Sequence, residues 1–165
     1  MNKTICLIST LLIAQSAYGA DWPCWGGDPS RNMINTVEKN MPTEWDIKTG
    51  KNVKWKAKLG SQSYGNPVIV GGKIFIGSNN EALWDPELKG DKGNVICFDE
   101  KGGKFIWQAV YDKLKAGRVN DWPLQGICST AFVEGDRAYF VNNRCELICA
   151  DVNGMANGND GVKDE

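Results

Sequence analysis

The amino-acid sequence predicts an all-β chain assembled from a repeating antiparallel sheet unit. Three observations carry that reading. Short strand-like runs bounded by Gly, Asn and Asp follow one another along the chain, helical periodicity is weak beyond residue 20, and one block of residues recurs at a spacing of 52–53.

The elements follow in chain order. A lone Lys3, an apolar stretch from Ile5 to Ala14 and the small residues Ala17 and Gly19 have the layout of a secretory signal peptide, with cleavage expected after Gly19. The apolar stretch is too short to span a membrane, and Cys6 lies inside it rather than after the small residues, so a lipid anchor is not indicated. The expected location is therefore periplasmic or secreted, without membrane insertion. Residues 20–45 read as an extension leading into the repeats, which occupy 46–165.

The strand-like runs are 53–57, 66–70, 73–77, 94–98, 104–108, 129–133, 137–141 and 145–150. Asp46-Ile-Lys-Thr-Gly50-Lys51, with Trp55 beyond it, is echoed by Asp99-Glu-Lys-Gly-Gly103-Lys104 with Trp107, and Cys149-Ala-Asp151 begins a third copy. Residues 66–79 align with 129–142 as two hairpins in the same order. Gly71-Gly72 and Glu134-Gly135-Asp136 supply their tight turns. In the Asp-x-x-x-Gly-Lys turn the carboxylate can accept backbone N–H bonds while Gly takes the left-handed conformation. The Trp that follows is too large for one four-stranded sheet to bury alone. A neighbouring sheet must cover it, which is the radial stacking of a β-propeller.

The run Cys97-Phe-Asp99-Glu-Lys-Gly102-Gly103-Lys104-Phe-Ile-Trp107 resembles the tryptophan-docking motif of quinoprotein-type (PQQ-like) β-propellers, Ala-x-Asp-x-x-Thr-Gly-Lys-x-x-Trp. Cys97 stands in place of the small Ala and Gly102 in place of Thr. The first copy matches the turn through Thr49, Gly50 and Lys51, with Trp55 one residue late, and the third departs after Asp151 without Gly-Lys or Trp. The opening Asp21-Trp-Pro-Cys-Trp-Gly-Gly-Asp-Pro-Ser-Arg-Asn is also similar to the segment after the signal peptide in exported bacterial proteins of this kind. The resemblance implies four-stranded antiparallel blades: a complete one at about 66–108, a second from about 128 that lacks its outer strand, and an orphan outer strand at 53–57. An incomplete propeller of about two blades cannot close a ring of about six to eight, so the chain is expected to be the N-terminal part of a longer protein. Asp46, Gly50, Trp55, Asp99, Gly103 and Trp107 are its structural docking residues.

Composition narrows the chemistry. The 165 residues contain no His, which excludes His-based triads, His-ligated zinc and an imidazole proton shuttle within them. With 19 basic against 20 acidic side chains, the net charge of -1 gives no field for nucleic-acid phosphates. Beyond the leader, Cys24, Cys97, Cys128, Cys145 and Cys149 are odd in number, so they cannot all pair within one chain. Cys145 and Cys149, four apart on one expected strand, would stand about 13 Å apart, too far to bond.

Two insertions exceed plain repeat: 79–93, and 111–127, which joins the blades. Their loops belong on a propeller face, where ligand sites are built. Arg118, Asn120, Asp121, Trp122 and Gln125 form a polar-aromatic set suited to a sugar, a peptide or a small polar ligand. Ser63, Tyr64, Asn66, Cys128 and Ser129 are expected to face the central channel, mainly as packing. Asn157, Asn159 and Asp160 in the tail are rich in oxygen, but no Glu falls in register for a calcium loop. No catalytic residue, metal ligand or cofactor is evident. The expected function is a non-catalytic ligand- or protein-binding scaffold of the cell envelope, with an envelope protein or small polar ligand as partner. The alternative that the resemblance implies is part of a quinoprotein dehydrogenase, which would bring PQQ and Ca²⁺.

Overall fold

The computed structural model describes residues 19–115 and 122–154. The leader, Arg118, Asn120, Asp121 and the oxygen-rich tail residues Asn157, Asn159 and Asp160 lie outside the described residues. Seven strands form two antiparallel sheets, and there is no helix among the described residues. β1 (Val68–Val70), β2 (Lys73–Asn79), β3 (Lys92–Asp99) and β4 (Phe105–Asp112) make the first sheet, paired in chain order. β5 (Phe132–Glu134), β6 (Arg137–Val141) and β7 (Leu147–Asp151) make the second. The two sheets do not close on each other into a barrel or ring.

The differences from the expected strands have local causes. β1 starts two residues late because Pro67 has no N–H to give to a ladder and the Asn66 N–H goes to Thr130 Oγ1 at 3.0 Å. Cys145 is not in a strand: it sits in the turn before β7 with a left-handed φ of 63°. Residues 53–57 are extended but pair with no strand among the described residues, a departure taken up below.

The first sheet is buried on both faces, as a near-continuous apolar run in β3 requires. On one face Val68, Phe75, Val95, Cys97 and Trp107 pack with Ile127, Ala131, Val133, Ala138 and Phe140 of the second sheet and its approach. On the other, Ile69, Ile74, Ile76 and Phe98 face Trp55, Ala57 and Leu59 of the extended segment across a cavity of about 240 Å³. Trp84 from the 79–93 insertion closes this face, stacked on Phe105 at 5.0 Å and edge-on to Phe98 at 5.7 Å.

Two indoles tie each layer to the next. Trp55 Nε1 donates to the Glu100 carbonyl at 2.8 Å, and Trp107 Nε1 donates to the Val152 carbonyl at 3.0 Å, each bond spanning 45 residues. Both acceptors follow the Asp that heads a turn. Asp99 Oδ2 accepts the Gly102 N–H at 2.7 Å, Asp151 Oδ1 accepts the Asn153 N–H at 2.6 Å, and Asp46 Oδ1 accepts the Lys48 N–H at 2.8 Å. The Lys48 N–H and the Thr49 hydroxyl hold the Asp46 carboxyl below its ordinary value. Each turn is drawn in by a second bond, from Gly50, Gly103 or Gly154 N–H to the carbonyl of its own Asp at 2.8–2.9 Å.

The late position of Trp55 is absorbed by Asn52, whose left-handed φ of 55° takes up the extra residue. Trp55, Ala57 and Leu59 thereby match Trp107, Ala109 and Tyr111 at a constant spacing of 52. The third turn, which looked broken in the sequence, uses Gly154 in place of the missing Gly-Lys. A Cβ at Gly103 would lie 2.4 Å from the Trp55 ring and one at Gly154 would lie 2.6 Å from the Trp107 ring, so glycine is what lets each indole lie flat on its turn.

The N-terminal extension runs along the β1 edge of the first sheet and the β5 edge of the second. Trp22 exchanges two backbone hydrogen bonds with Ile69 of β1, at 2.6 and 3.0 Å, and the Pro23 carbonyl accepts the Val133 N–H of β5 at 2.8 Å. Asp21 Oδ1 also accepts the Gly71 N–H of the first hairpin turn at 3.0 Å.

Gly154→Ala combines a left-handed φ with a collision against the Trp107 ring, whereas Gly71→Ala, φ 55° with open space around it, meets only the backbone cost of about 1–2 kcal/mol. Gly154→Ala is expected to cost at least about 1 kcal/mol more than Gly71→Ala, read from denaturant midpoints followed by tryptophan fluorescence. Equal costs would show that the indole does not press on the turn.

Candidate functional site

The two insertions meet at the end of the first sheet where β2 stops and β3 begins. Their meeting point is organised by Asn79, the last residue of β2, which is fully buried. Its Nδ2 donates to the Leu124 carbonyl at 2.6 Å and to Ser61 Oγ at 2.9 Å, while its Oδ1 accepts the N–H groups of Ser61 and Glu81, each at 3.1 Å. One amide thus joins three segments that have no ladder of their own: the approach to β1, the 79–93 insertion and the 111–127 insertion. A Cβ at Gly60 would fall on Asn79 Oδ1, so the approach strand needs glycine there.

Asp91 reinforces the joint. Its Oδ2 accepts the Leu124 N–H at 2.8 Å, and Lys113 Nζ lies 4.0 Å from its Oδ1. Lys113 Nζ also donates to the Trp122 carbonyl at 2.7 Å. Asn80 is buried and donates through Nδ2 to the Leu88 carbonyl inside its own loop. Asn80, Glu81, Leu83, Lys89, Gly90, Asp91 and Leu124 line an open cavity of about 480 Å³ between the two loops.

Of the five residues that the sequence proposes as a ligand set, Trp122 and Gln125 are described. They belong to one turn, closed by the Gln125 N–H on the Trp122 carbonyl at 3.2 Å. The Trp122 side chain is 60% exposed. Gln125 is half-buried and helps line a second cavity of about 230 Å³, shared with Cys128, Ser129, Asn142, Asn143 and Cys145. Asn142, just after β6, caps a local turn at the end of the second sheet. Its Nδ2 donates to Glu146 Oε2 at 2.6 Å, and its Oδ1 accepts the N–H groups of Arg144 and Glu146 at 2.9 and 3.0 Å. That amide, with Arg144 beside it, lowers the Glu146 carboxyl below its ordinary value. Burial, assisted by the Glu146 charge, pushes the Tyr111 phenol up, so it stays neutral near pH 7.

Two of the residues expected to face a channel, Ser63 and Ser129, are engaged with backbone. Ser63 Oγ donates to the Gly77 carbonyl at 2.6 Å and Ser129 Oγ donates to the Val141 carbonyl at 2.7 Å, each fastening the approach of an inner strand to the next strand of its sheet. Tyr64 is exposed and its hydroxyl donates to Gln62 Oε1 at 3.2 Å. Of the expected docking residues, Trp55 lies on the turn of Asp99 and Gly103 and Trp107 on the turn of Asp151 and Gly154, whereas a Cβ at Gly50 would meet nothing within 4 Å and no described indole lies on the Asp46–Gly50 turn. Sequence reasoning missed Asn79 and Asn142 as organising residues, although the aligned hairpins 66–79 and 129–142 both end on them.

A calcium-held quinone would need several oxygens converging on one point. At this end the Asp91 oxygens face Leu124 N–H and Lys113, and Glu81 reaches the Asn79 amide at 3.4 Å, so these residues do not fit such a group. What the loop end can do chemically is present an exposed indole, an amide and several backbone carbonyls to a polar molecule. No family model matches the chain, and a comparison with curated proteins finds no match.

Asn79→Ala would strand the Leu124 carbonyl and two N–H groups, and is expected to cost about 2–3 kcal/mol, with amide hydrogen exchange rising first at Ser61 and Glu81. Uniform exchange across the sheet would mean that Asn79 does not organise the loops. The cysteines give a second check. None of the five described cysteines is in a disulfide. Cys24 and Cys97 are buried, Cys128 and Cys145 are exposed, and burial pushes the Cys97 thiol up to about 12 against the opposing pull of Lys73. A thiol-alkylating reagent at pH 8 is therefore expected to modify Cys128 and Cys145 in the native protein and to reach Cys97 only after denaturation, as peptide mass mapping would show.

Proposed function

We propose that the chain is part of an exported PQQ-like β-propeller repeat protein that serves the cell envelope as a non-catalytic scaffold, binding a protein or a small polar ligand at its loop end. The observation that carries this reading is the pair of indole-to-turn bonds, Trp55 to Glu100 and Trp107 to Val152, of the same sequence span and on turns of the same chemistry. A contact that ties one sheet to the next in this way can be repeated indefinitely, which is how radial arrays of sheets are built. The loop end supports the binding role: the two insertions are braced by Asn79 and Asp91, and rigid sheets carrying irregular loops are where recognition surfaces form. An exposed Trp beside amides and carbonyls favours a partner with a flat apolar face and hydrogen-bonding edges, such as a peptide or a sugar.

A photo-reactive amino acid placed at position 122 in cells making the full chain is expected to cross-link to a discrete envelope partner. The double variant Trp122→Ala/Gln125→Ala should bind that partner more weakly when both are purified, while its denaturant midpoint stays near that of the parent. PQQ- and Ca²⁺-dependent dye reduction by the protein, or retention in the cytoplasm with residues 1–19 uncleaved, would overturn the proposal.

A further inference from the structure

Two carboxylates flank the stretch of backbone that leads into the first sheet. The Gly19 N–H donates to Glu100 Oε1 at 2.9 Å, and the Ala20 N–H donates to Glu38 Oε1 at 2.6 Å. A Cβ added at Gly19 would lie 3.3 Å from the first oxygen and 3.4 Å from the second, so both acidic groups close on the same two residues. Immediately beyond, the backbone is pinned: Asp21 Oδ1 accepts the Gly71 N–H at 3.0 Å, and Trp22 pairs with Ile69.

Glu100 is held there by the sheet itself. Its N–H donates to the Gly72 carbonyl at 2.9 Å and its own carbonyl accepts the Trp55 indole, which fixes it beside the first hairpin turn whatever residues 19 and 20 do. In the other two turns the residue after the Asp is Ile47 or Val152, so of the three only the turn that meets the extension carries a carboxylate at this position. Glu38 arrives by a separate device. Asn35 Oδ1 accepts the N–H groups of Val37 and Glu38 at 3.0 and 2.8 Å, and this turn brings the Glu38 carboxylate back to Ala20, 18 residues earlier.

Two amides are a poor match for two acids. Each N–H is neutral and offers one donor, whereas the carboxylates bring two negative charges and four oxygens. Glu100 Oε2 is buried and accepts no hydrogen bond from the described residues, a costly arrangement for a carboxylate oxygen. The group that suits such a pair is a cation with several donors on one atom. An α-ammonium is one, with a positive charge and three N–H groups, and its bonds to carboxylates are shorter and stronger than those of an amide.

We propose that Glu38 and Glu100 form a binding site for the α-ammonium of Ala20, which removal of the leader after Gly19 creates between them. The inference rests on the reading of residues 1–19 as a cleaved leader. Hydrolysis of the Gly19–Ala20 peptide bond by a peptidase consumes one water, leaving a carboxylate on the departing Gly19 and the ammonium on Ala20. Glu100 loses the Gly19 N–H in that step and turns to the new cation, while Glu38 keeps its contact with the same nitrogen. Processing thereby supplies the counter-charge of both acids at the point where the extension joins β1, and seats the extension more firmly than the uncut chain can.

In the full-length protein purified from exporting cells, N-terminal sequencing is expected to begin at Ala20. Hydrogen exchange at the paired Trp22 and Ile69 amides then reads how firmly the extension is seated. Glu38→Gln and Glu100→Gln are each expected to speed that exchange about two- to fivefold. Acetylating the α-amine at about pH 6.5, where lysines stay protonated, should speed it likewise without altering either glutamate. The same two variants are then placed in a chain that keeps its leader through Ala17→Leu, which removes a small residue that cleavage needs; there they should change the exchange much less. A leader-bearing chain that responds as strongly as the processed one, or an acetylated protein that exchanges like its parent, overturns the proposal, because the carboxylates would then be holding backbone and not a cation. A protein that begins at another residue, or keeps its leader after export, overturns the reading of the leader and the site with it.

Discussion

A β-sheet with apolar residues on both faces must be covered twice, and in this protein the cover is fastened by an indole lying on a turn. Trp107 reaches over the second sheet to the Val152 carbonyl, and Trp55 reaches over the first to that of Glu100. The bond itself contributes only about 1 kcal/mol. Its larger effect is geometric, because a large ring with a single donor can satisfy both its apolar area and its N–H at one place only. The carboxylate that organises the turn, the glycine that keeps a Cβ from meeting the ring, and the constant spacing of 52 residues all follow from that requirement. So does the left-handed Asn52, which corrects the phase of the first copy so that Trp55, Ala57 and Leu59 fall on the same side.

The second organising element is polar. Asn79 ends β2 and Asn142 follows the last residue of β6, and each converts a ladder into a loop by satisfying backbone groups that no strand reaches. A buried amide is well suited to this, with two donors and an acceptor in one plane. At the first sheet it binds both insertions to the frame, so the exposed Trp122 and the half-buried Gln125 project from a braced surface rather than from free chain.

Much of this was legible in the sequence. The hairpins 66–79 and 129–142 and the paired strands 94–98 and 104–108 were visible because period-two patterning and glycine turns are local signals. The two indoles that lie on turns stood out because the motif recurs with its Trp, although the Asp46–Gly50 turn receives no described indole. Besides the two organising asparagines, three features were not. The third turn hid its equivalence because Gly154 does the work of Gly103 one residue earlier. Residues 53–57 carry a strand pattern that only a neighbouring chain segment can turn into a strand, and pattern alone does not reveal whether that neighbour is present. Trp84 lay in what read as an end loop, yet it folds back onto Phe98 and Phe105, since the far face of the first sheet needs more cover than the extended segment supplies.

The N-terminal extension has a consequence for the order of events in folding. Trp22 pairs with Ile69 and Pro23 with Val133, so the earliest described part of the chain is completed by one of the later strands. Closing so long a loop is entropically slow relative to forming either hairpin. The two sheets can therefore assemble while the extension is still free, and its docking along β1 and β5 is a late latch that joins their edges. Until that latch closes, those two edges remain open to pairing, and that interval is when the nascent molecule is most exposed to aggregation.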